Sequence, residues 1–159
     1  MGYIWYYETP IGRIGIAETD KAISHILFDG DMSLQEYERK ETSTIKETAR
    51  QLKAYFKGQL KEFDVPLLLQ GTPFQREAWQ ALIEIPYGQT CSYKDIAKKI
   101  GNPKAVRAVG MANNRNKIPI IIPCHRVIGT NGKLVGYAGG LPVKEKLIKL
   151  EADNACTFK

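Results

Sequence analysis

Histidine and cysteine are scarce in this 159-residue chain, with two of the first and three of the second. Cys91, Cys124 and Cys156 stand 33 and 32 residues apart, with no C-x-x-C pair. That spacing excludes a disulfide framework and suits a reducing compartment. Structural zinc draws four Cys or His ligands in close pairs, and only His25 and His125 could add to the cysteines. No metal and no cofactor is expected. Long apolar runs are missing as well: Ile118 to Ile122 is short and interrupted by Pro119, against the roughly 18 residues of a membrane span. The N-terminal Met1-Gly2-Tyr3-Ile4-Trp5 lacks the basic region and apolar core of a signal peptide. A cytoplasmic protein with no membrane partner is the expectation. The pairing of low hydrophobicity with high charge that marks disorder is also absent, since the chain is 43% hydrophobic and 25% charged.

The positive charge is unevenly placed. Up to Gly71 there are 9 Lys+Arg against 11 Asp+Glu, and from Thr72 onward 14 against 6. The net +6 therefore belongs entirely to the C-terminal part, where a polyanion such as nucleic acid would be attracted. A solvated basic surface would look the same by charge alone.

The pattern along the chain predicts an α+β protein in two parts, residues 1–68 and 69–159. In the first, Tyr3 to Thr9, Gly12 to Thr19 and Ala22 to Phe28 read as strands rich in Ile, Tyr, Trp and Phe. Pro10-Ile11-Gly12 and Asp20-Lys21 are the turns between them. A helix follows over about Ile45 to Lys57, with Thr44 and Glu47 as a capping box. This is a small antiparallel sheet with a helix on it, and no catalytic constellation is visible there. His25 reads as a core or edge residue of a strand.

The second part is mostly helical. Thr72, Pro73 and Gln75 open one helix, which Pro86-Tyr87-Gly88 stops. Ser92 and Asp95 cap the next, and Gly101 ends it. Asn102 then reads as the cap and Pro103 as the start of another, with Ala105, Val106, Val109 and Ala112 along one side. A short helix, a glycine-containing turn and a second helix make a helix-turn-helix, here decorated by Lys98, Lys99, Lys104, Arg107 and Arg115. Such pairs also occur as plain packing units, but the charge favours DNA. Thr130-Asn131-Gly132 reads as a hairpin turn. Pro142 starts a last helix whose inward face is Val143, Leu147 and Leu150, with Glu151 near its end.

The chemistry is concentrated after the apolar run, in Pro123-Cys124-His125-Arg126-Val127. A free cysteine is often a small buried hydrophobe. A neighbouring imidazole weakens that reading, because it can help form a thiolate, although the dipeptide alone is a weak signal.

The pentapeptide PCHRV resembles the signature of the O6-alkylguanine-DNA alkyltransferases, also called methylated-DNA–protein-cysteine methyltransferases. The resemblance runs from about Thr72 to Glu151. It includes Pro86-Tyr87-Gly88, Ser92-Tyr93, Gly101-Asn102-Pro103, Arg107-Ala108-Val109-Gly110, Asn116 and Gly139-Gly140-Leu141. Residues up to about 60 match only in layout. It implies a ribonuclease H-like N-terminal part and a winged helix-turn-helix C-terminal part. It also implies direct-reversal repair, in which the alkyl group of O6-alkylguanine (and O4-alkylthymine) in duplex DNA moves irreversibly to the protein after the base is flipped out. By position, Cys124 corresponds to the acceptor and His125 to the histidine that draws the thiol proton through a bridging water. Glu151 corresponds to the carboxylate that orients the imidazole, and Asn116 to the residue that organises the pocket turn. Tyr93 corresponds to the proton donor to the leaving guanine, and Arg107 to the finger that enters the duplex. Ser92, Tyr93, Lys104, Ala105, Arg107 and Arg115 form the implied DNA-contacting set. Pro119, Val127, Tyr137, Ala138 and Gly139 form the base-contacting set. The implied partner is double-stranded DNA carrying the lesion, met by a monomer.

The chemistry is coherent without the name. The electrophile is an sp3 carbon on an oxygen, which a soft thiolate attacks better than an alkoxide. The stable thioether offers no way back, so each molecule acts once. Two positions depart from the family pattern: Met111 stands where a second glycine often follows Arg-Ala-Val-Gly, and Ala138 where some relatives have serine. The zinc ligands that some relatives carry near the N-terminus are missing. Cys91 and Cys156 read as structural or incidental. Rival readings are less economical. A non-catalytic damage sensor of the alkyltransferase-like kind has tryptophan at the acceptor position. A plain helix-turn-helix regulator leaves Cys-His-Glu without purpose, and a cysteine protease would need a distant histidine.

Overall fold

The computed structural model describes residues 2–132 and 134–155, in two compact units that divide between Leu69 and Gln70. Cys156 lies outside the described residues.

Unit one carries β1 (Gly2–Thr9), β2 (Gly12–Thr19), β3 (Ala22–Leu27), β4 (Glu38–Arg39) and α1 (Ser43–Phe56). The first three strands form where the alternation of large apolar residues places them. The Asp20-Lys21 turn has both residues at positive φ, 52° and 65°, the twist that matches a two-residue hairpin. The sheet order is β3-β2-β1-β4, with antiparallel pairs except for β4, which joins β1 in parallel. Two residues are too few for alternation to show, so β4 was not legible. Residues 14–18 of the inner strand β2 are buried without a break. α1 packs against the sheet, and Leu34 and Tyr37 close on Ile4, Ala17 and Leu27.

The start of α1 corrects the sequence reading. Thr42, not Thr44, is the cap: its hydroxyl oxygen accepts from Ile45 N at 3.1 Å and its hydroxyl donates to the buried Glu18. Three hydroxyl residues stand in a row here, and the tertiary acceptor on β2 selects among them. Glu47 instead binds its own helix neighbours Arg50 and Gln51. His25 sits in β3, half-buried, against Ser24 and edge-on to Tyr37.

Unit two carries α2 (Pro73–Ile83), β5 (Cys91–Ser92), α3 (Tyr93–Lys99), α4 (Val106–Asn114), β6 (Val127–Ile128) and α5 (Leu141–Ala155). Both anticipated capping boxes are present, Thr72 with Gln75 and Ser92 with Asp95. The buried Trp79 ties α2 to α4 by donating its indole N–H to Ala112 O at 2.9 Å. Gly101, at φ +81°, ends α3. α4 begins later than its sequence suggested. Residues 102–105 close a turn through Ala105 N to Asn102 O (3.0 Å), and Ala105 occupies the cap position without a side-chain hydrogen bond. Asn102-Pro103 mimics a capped helix start, but the chain makes one turn before entering the helix.

The Asn131-Gly132 turn forms, closed by Gly132 N to Gly129 O at 2.9 Å, without a hairpin among the described residues. β6 pairs in parallel with β5 instead. The inward face of α5 also differs from its apolar pattern: Lys144, Leu147 and Glu151 are buried, while Val143 and Leu150 are only partly so. Two charged residues replace the expected aliphatic ones because both find partners inside.

Candidate active site

Cys124 is delivered by a tightly braced turn. Ile118, Ile120, Ile121 and Ile122 are buried, and Asn116 spans the loop they form. Its Oδ1 accepts from Ile118 N (2.9 Å) and its Nδ2 donates to Ile122 O (2.8 Å). Ile120 takes φ +74°, a conformation that a β-branched residue adopts only when its surroundings over-determine it. Cys124 follows in a single 3-10 turn over Cys124–Arg126 and is 4% exposed.

The residues beside it are charged and buried. His125, fully buried, shares a 2.6 Å hydrogen bond between Nε2 and Glu151. Arg126 grips the same carboxylate from two nitrogens, Nε to Oε1 at 2.7 Å and Nη2 to Oε2 at 3.0 Å. Its third nitrogen donates to Ile85 O at 2.6 Å, and its guanidinium lies 5.7 Å from the Tyr87 ring centre. Burial pushes the Glu151 carboxyl up, but the hydrogen bonds from His125 and Arg126 outweigh it and hold the group at about 2. Burial lowers the His125 pKa, against the pull of Glu151. The imidazole is therefore neutral at physiological pH. Facing an ionised carboxylate, Nε2 must carry the hydrogen, which leaves the lone pair on Nδ1. That Nδ1 has no hydrogen-bond partner among the described residues. That lone pair can accept a hydrogen bond or a proton.

Desolvation pushes the Cys124 thiol up to about 11, opposed by a hydrogen bond from Asn116 and the charge of Lys144. The resting thiol is thus protonated, and any attack by its sulfur must be coupled to removal of its proton. Lys144 is fully buried; its Nζ donates to Val127 O (2.7 Å), Val135 O (2.8 Å) and, at 3.5 Å, Gly136 O. No carboxylate pairs with it among the described residues. Its charge favours the Cys124 thiolate, and desolvation lowers its own pKa. The Tyr93 phenol donates to Val135 O at 3.4 Å. Burial and the proximity of Cys124 raise its pKa, so it keeps its proton and can give it to a stronger base.

Geometry and sequence relationship agree. Residues 73–153 match the family description "6-O-methylguanine DNA methyltransferase, DNA binding domain", and residues 3–69 match its ribonuclease-like domain. A methylated-DNA–protein-cysteine methyltransferase of Methanosarcina acetivorans is 53% identical over 152 residues, covering 94% of this chain and 97% of that protein. The constitutive enzyme of that name from Bacillus subtilis is 48% identical, covering 95% and 96%. The crystal structure of Mycobacterium tuberculosis OGT in complex with DNA superposes with a TM-score of 0.90 at 43% identity, covering 96% of this chain and 94% of that one. The chain belongs to the methylated-DNA–protein-cysteine methyltransferase family. Membership makes it a DNA-binding methyltransferase of direct-reversal repair, with a cysteine as acceptor. The α+β architecture, with a ribonuclease-like and a DNA-binding part, is that of the family.

The family motifs acquire physical reasons in this setting. Tyr87 stacks on Arg126, and Gly88 N donates to Glu151 at 3.3 Å. At φ +80° Gly88 has no room for a side chain, because a Cβ would meet Ala155 at 2.5 Å. Pro86-Tyr87-Gly88 is therefore a wall of the carboxylate site as well as a helix stop. Of the residues named from sequence, Cys124, His125, Glu151, Asn116 and Tyr93 meet in this one region. Arg107, Lys104 and Arg115 are exposed around α4, and none is in an ion pair among the described residues. Ser92, half-buried, uses its hydroxyl oxygen to cap α3, and Ala105 precedes α4. Val127 and Pro119 are buried, whereas Ala138 is exposed and Gly139 half-exposed. Burial and the nearby Cys124 raise Tyr137 well above the usual tyrosine range. Two residues escaped the sequence reading. Arg126 stood inside the signature but was read as part of a word. Lys144 lies seven residues before Glu151, on the same helical face, and that spacing was the available signal.

Proposed function

We propose that this chain repairs O6-alkylguanine, and O4-alkylthymine, in duplex DNA by transferring the alkyl group to Cys124, once per molecule and as a monomer. The observation that carries the reading is the arrangement of His125. Its Nε2–H is committed to an ionised Glu151, and its Nδ1 lone pair is unpartnered one residue from a buried, protonated thiol. Nδ1 takes the thiol proton through a bridging water, and the sulfur attacks the alkyl carbon. The carbon–O6 bond breaks with its electrons going to the base, and Tyr93 supplies a proton to the departing guanine. Asn116 and Lys144 favour the charge that develops on sulfur. The carboxylate–imidazole–thiol order follows the logic of the serine-protease triad.

The target atom lies within the duplex, so the base must leave the stack, at a cost of a few kcal/mol. Exposed Arg107 enters the gap, while Lys104, Arg115, Ser92 and the backbone at Ala105 contact phosphates. Val127, Pro119 and the Tyr137-Ala138-Gly139 loop line the base pocket. In this reading the small Ala138 leaves space beside the alkyl group. Exposed Met111 (56%) replaces the usual glycine without intruding on packing.

The test is a titration of limiting protein with duplex DNA containing O6-methylguanine, counting residual lesions after nuclease digestion. Lesion loss should stop at one per chain, and a second portion of DNA should remain unrepaired. Continued turnover, or binding without any loss, would contradict the reading.

A further inference from the structure

Unit one gathers two cations on a single ring. Tyr6, half-buried in β1, has the guanidinium of Arg13 (β2) at 4.6 Å from its ring centre and that of Arg39 (β4) at 4.5 Å. Strand pairing explains the meeting: Tyr6 stands opposite Gly15 on β2, and Arg39 joins β1 beside Ile4. Gly15 makes room for the ring, since a Cβ there would meet it at 2.9 Å, and a glycine inside a strand often marks such a close approach. Both arginines are exposed, and neither is in an ion pair among the described residues, although Glu8 faces Arg13 across the ladder. Two like charges held on one ring repel each other. Stacking engages the guanidinium faces and leaves the N–H donors at their edges.

The ring and its arginines line an open pocket of about 190 Å³, together with the turn that follows β3. In that turn Asp31 N donates to Phe28 O at 3.1 Å, Gly30 takes φ +86°, and Asp31 Oδ1 accepts from Ser33 N at 2.9 Å. Phe28 and the 63% exposed Met32 add apolar surface. We infer that this pocket binds a compact phosphate dianion, either free phosphate or the phosphomonoester of a nucleoside monophosphate, which bridges Arg13 and Arg39. Fixed guanidinia match phosphate oxygens through paired N–H donors. A phosphomonoester carries close to two negative charges at neutral pH, enough to offset both arginines, and a nucleotide could rest its base on Phe28 and Met32. Local charge selects a compact ligand over a nucleic-acid strand. Unit one is net acidic, and Asp29 and Asp31 line the same pocket, so a polyanion that ran on past the pair would meet carboxylates. The site shares no residue with the Cys124 region and does not depend on the repair reading.

Backbone amide NMR spectra of the whole chain at low salt test this, with adenosine monophosphate, inorganic phosphate, adenosine and an undamaged DNA duplex as probes. Adenosine monophosphate should shift the amides of Tyr6, Gly30 and Met32 in a saturable way, and adenosine should leave them in place. Arg13→Gln and Arg39→Gln should each weaken that binding about tenfold or more, whereas Arg107→Gln on α4 should not change it. Tighter binding of adenosine monophosphate than of inorganic phosphate would support the inference with a nucleotide as ligand, and equal binding would support it with phosphate itself. Wild-type spectra in which neither phosphate probe moves these amides would overturn it, whether or not the variants fold. Binding that survives both substitutions would also overturn it. So would substitutions that weaken duplex binding while adenosine monophosphate fails to bind, because the pair would then serve the DNA backbone.

Discussion

The two units bury polar groups for different ends. In unit one, Glu18, Ser24, Thr48 and Gln51 are buried, and each serves the fold. Gln51 is paired in both directions with the backbone of Asp64, at 2.9 and 3.1 Å. Thr48 returns to Thr44 O, and Glu18 receives the Thr42 hydroxyl. In unit two the buried polar set is Asn113, Asn116, His125, Arg126, Lys144 and Glu151. It includes full charges, converges on Cys124, and leaves a lone pair on His125 and an acceptor on Asn113 unused. Buried charge with unspent capacity marks chemistry better than surface basicity does, because desolvation must be offset by something the fold alone does not need.

The contrast is sharpest in an arginine exchanged in each unit. Arg126→Met removes three donors from buried acceptors and should cost about 3–5 kcal/mol, read from denaturant unfolding of the whole chain. Arg50→Ala, which breaks the exposed pair with Glu47 on α1, should leave the same midpoint unmoved. Lys144→Met should cost about 1–3 kcal/mol by leaving the Val127 and Val135 carbonyls without a donor. It should also lift the Cys124 thiol further above about 11, slowing both methyl transfer and iodoacetamide labelling at neutral pH. A variant that lost stability but kept its labelling profile would reduce Lys144 to a structural role.

Acid should act in steps. Folded His125 binds its proton less readily than the unfolded chain, so stability is complete above pH 6.5 and falls as pH drops below it. Glu151, at about 2 against 4.5 unfolded, adds a second loss between those values. His125→Phe should abolish the first step in a urea–pH series. The smallest effects compare two caps. Thr72→Ala should cost about 1 kcal/mol, and Thr42→Ala more, because it also strips the donor from Glu18.

Legibility follows the same division. β1 to β3 were readable because two-residue alternation is local, and the Thr72 and Ser92 boxes because cap and partner lie three residues apart. The wrong cap at Thr44 and the early start at Asn102 show where local rules tie: tertiary contacts, invisible in the string, decided both. Cys124, His125, Glu151, Asn116 and Tyr93 were legible through the family signature. Lys144, Arg126 and Asn113 were not, because a charged or amide side chain on a helix is ordinarily taken for solvent-facing. Their partners are backbone carbonyls and a carboxylate up to 41 residues away.

The central claim is that Cys124 itself receives the alkyl group. Intact-protein mass spectrometry after incubation with O6-methylguanine duplex, with Cys124→Ala alongside, addresses it directly. The account predicts one addition of about 14 mass units per chain, on the peptide that holds Cys124 and absent from the variant. A methyl group found on another residue, or a variant that still gains it, would contradict the account.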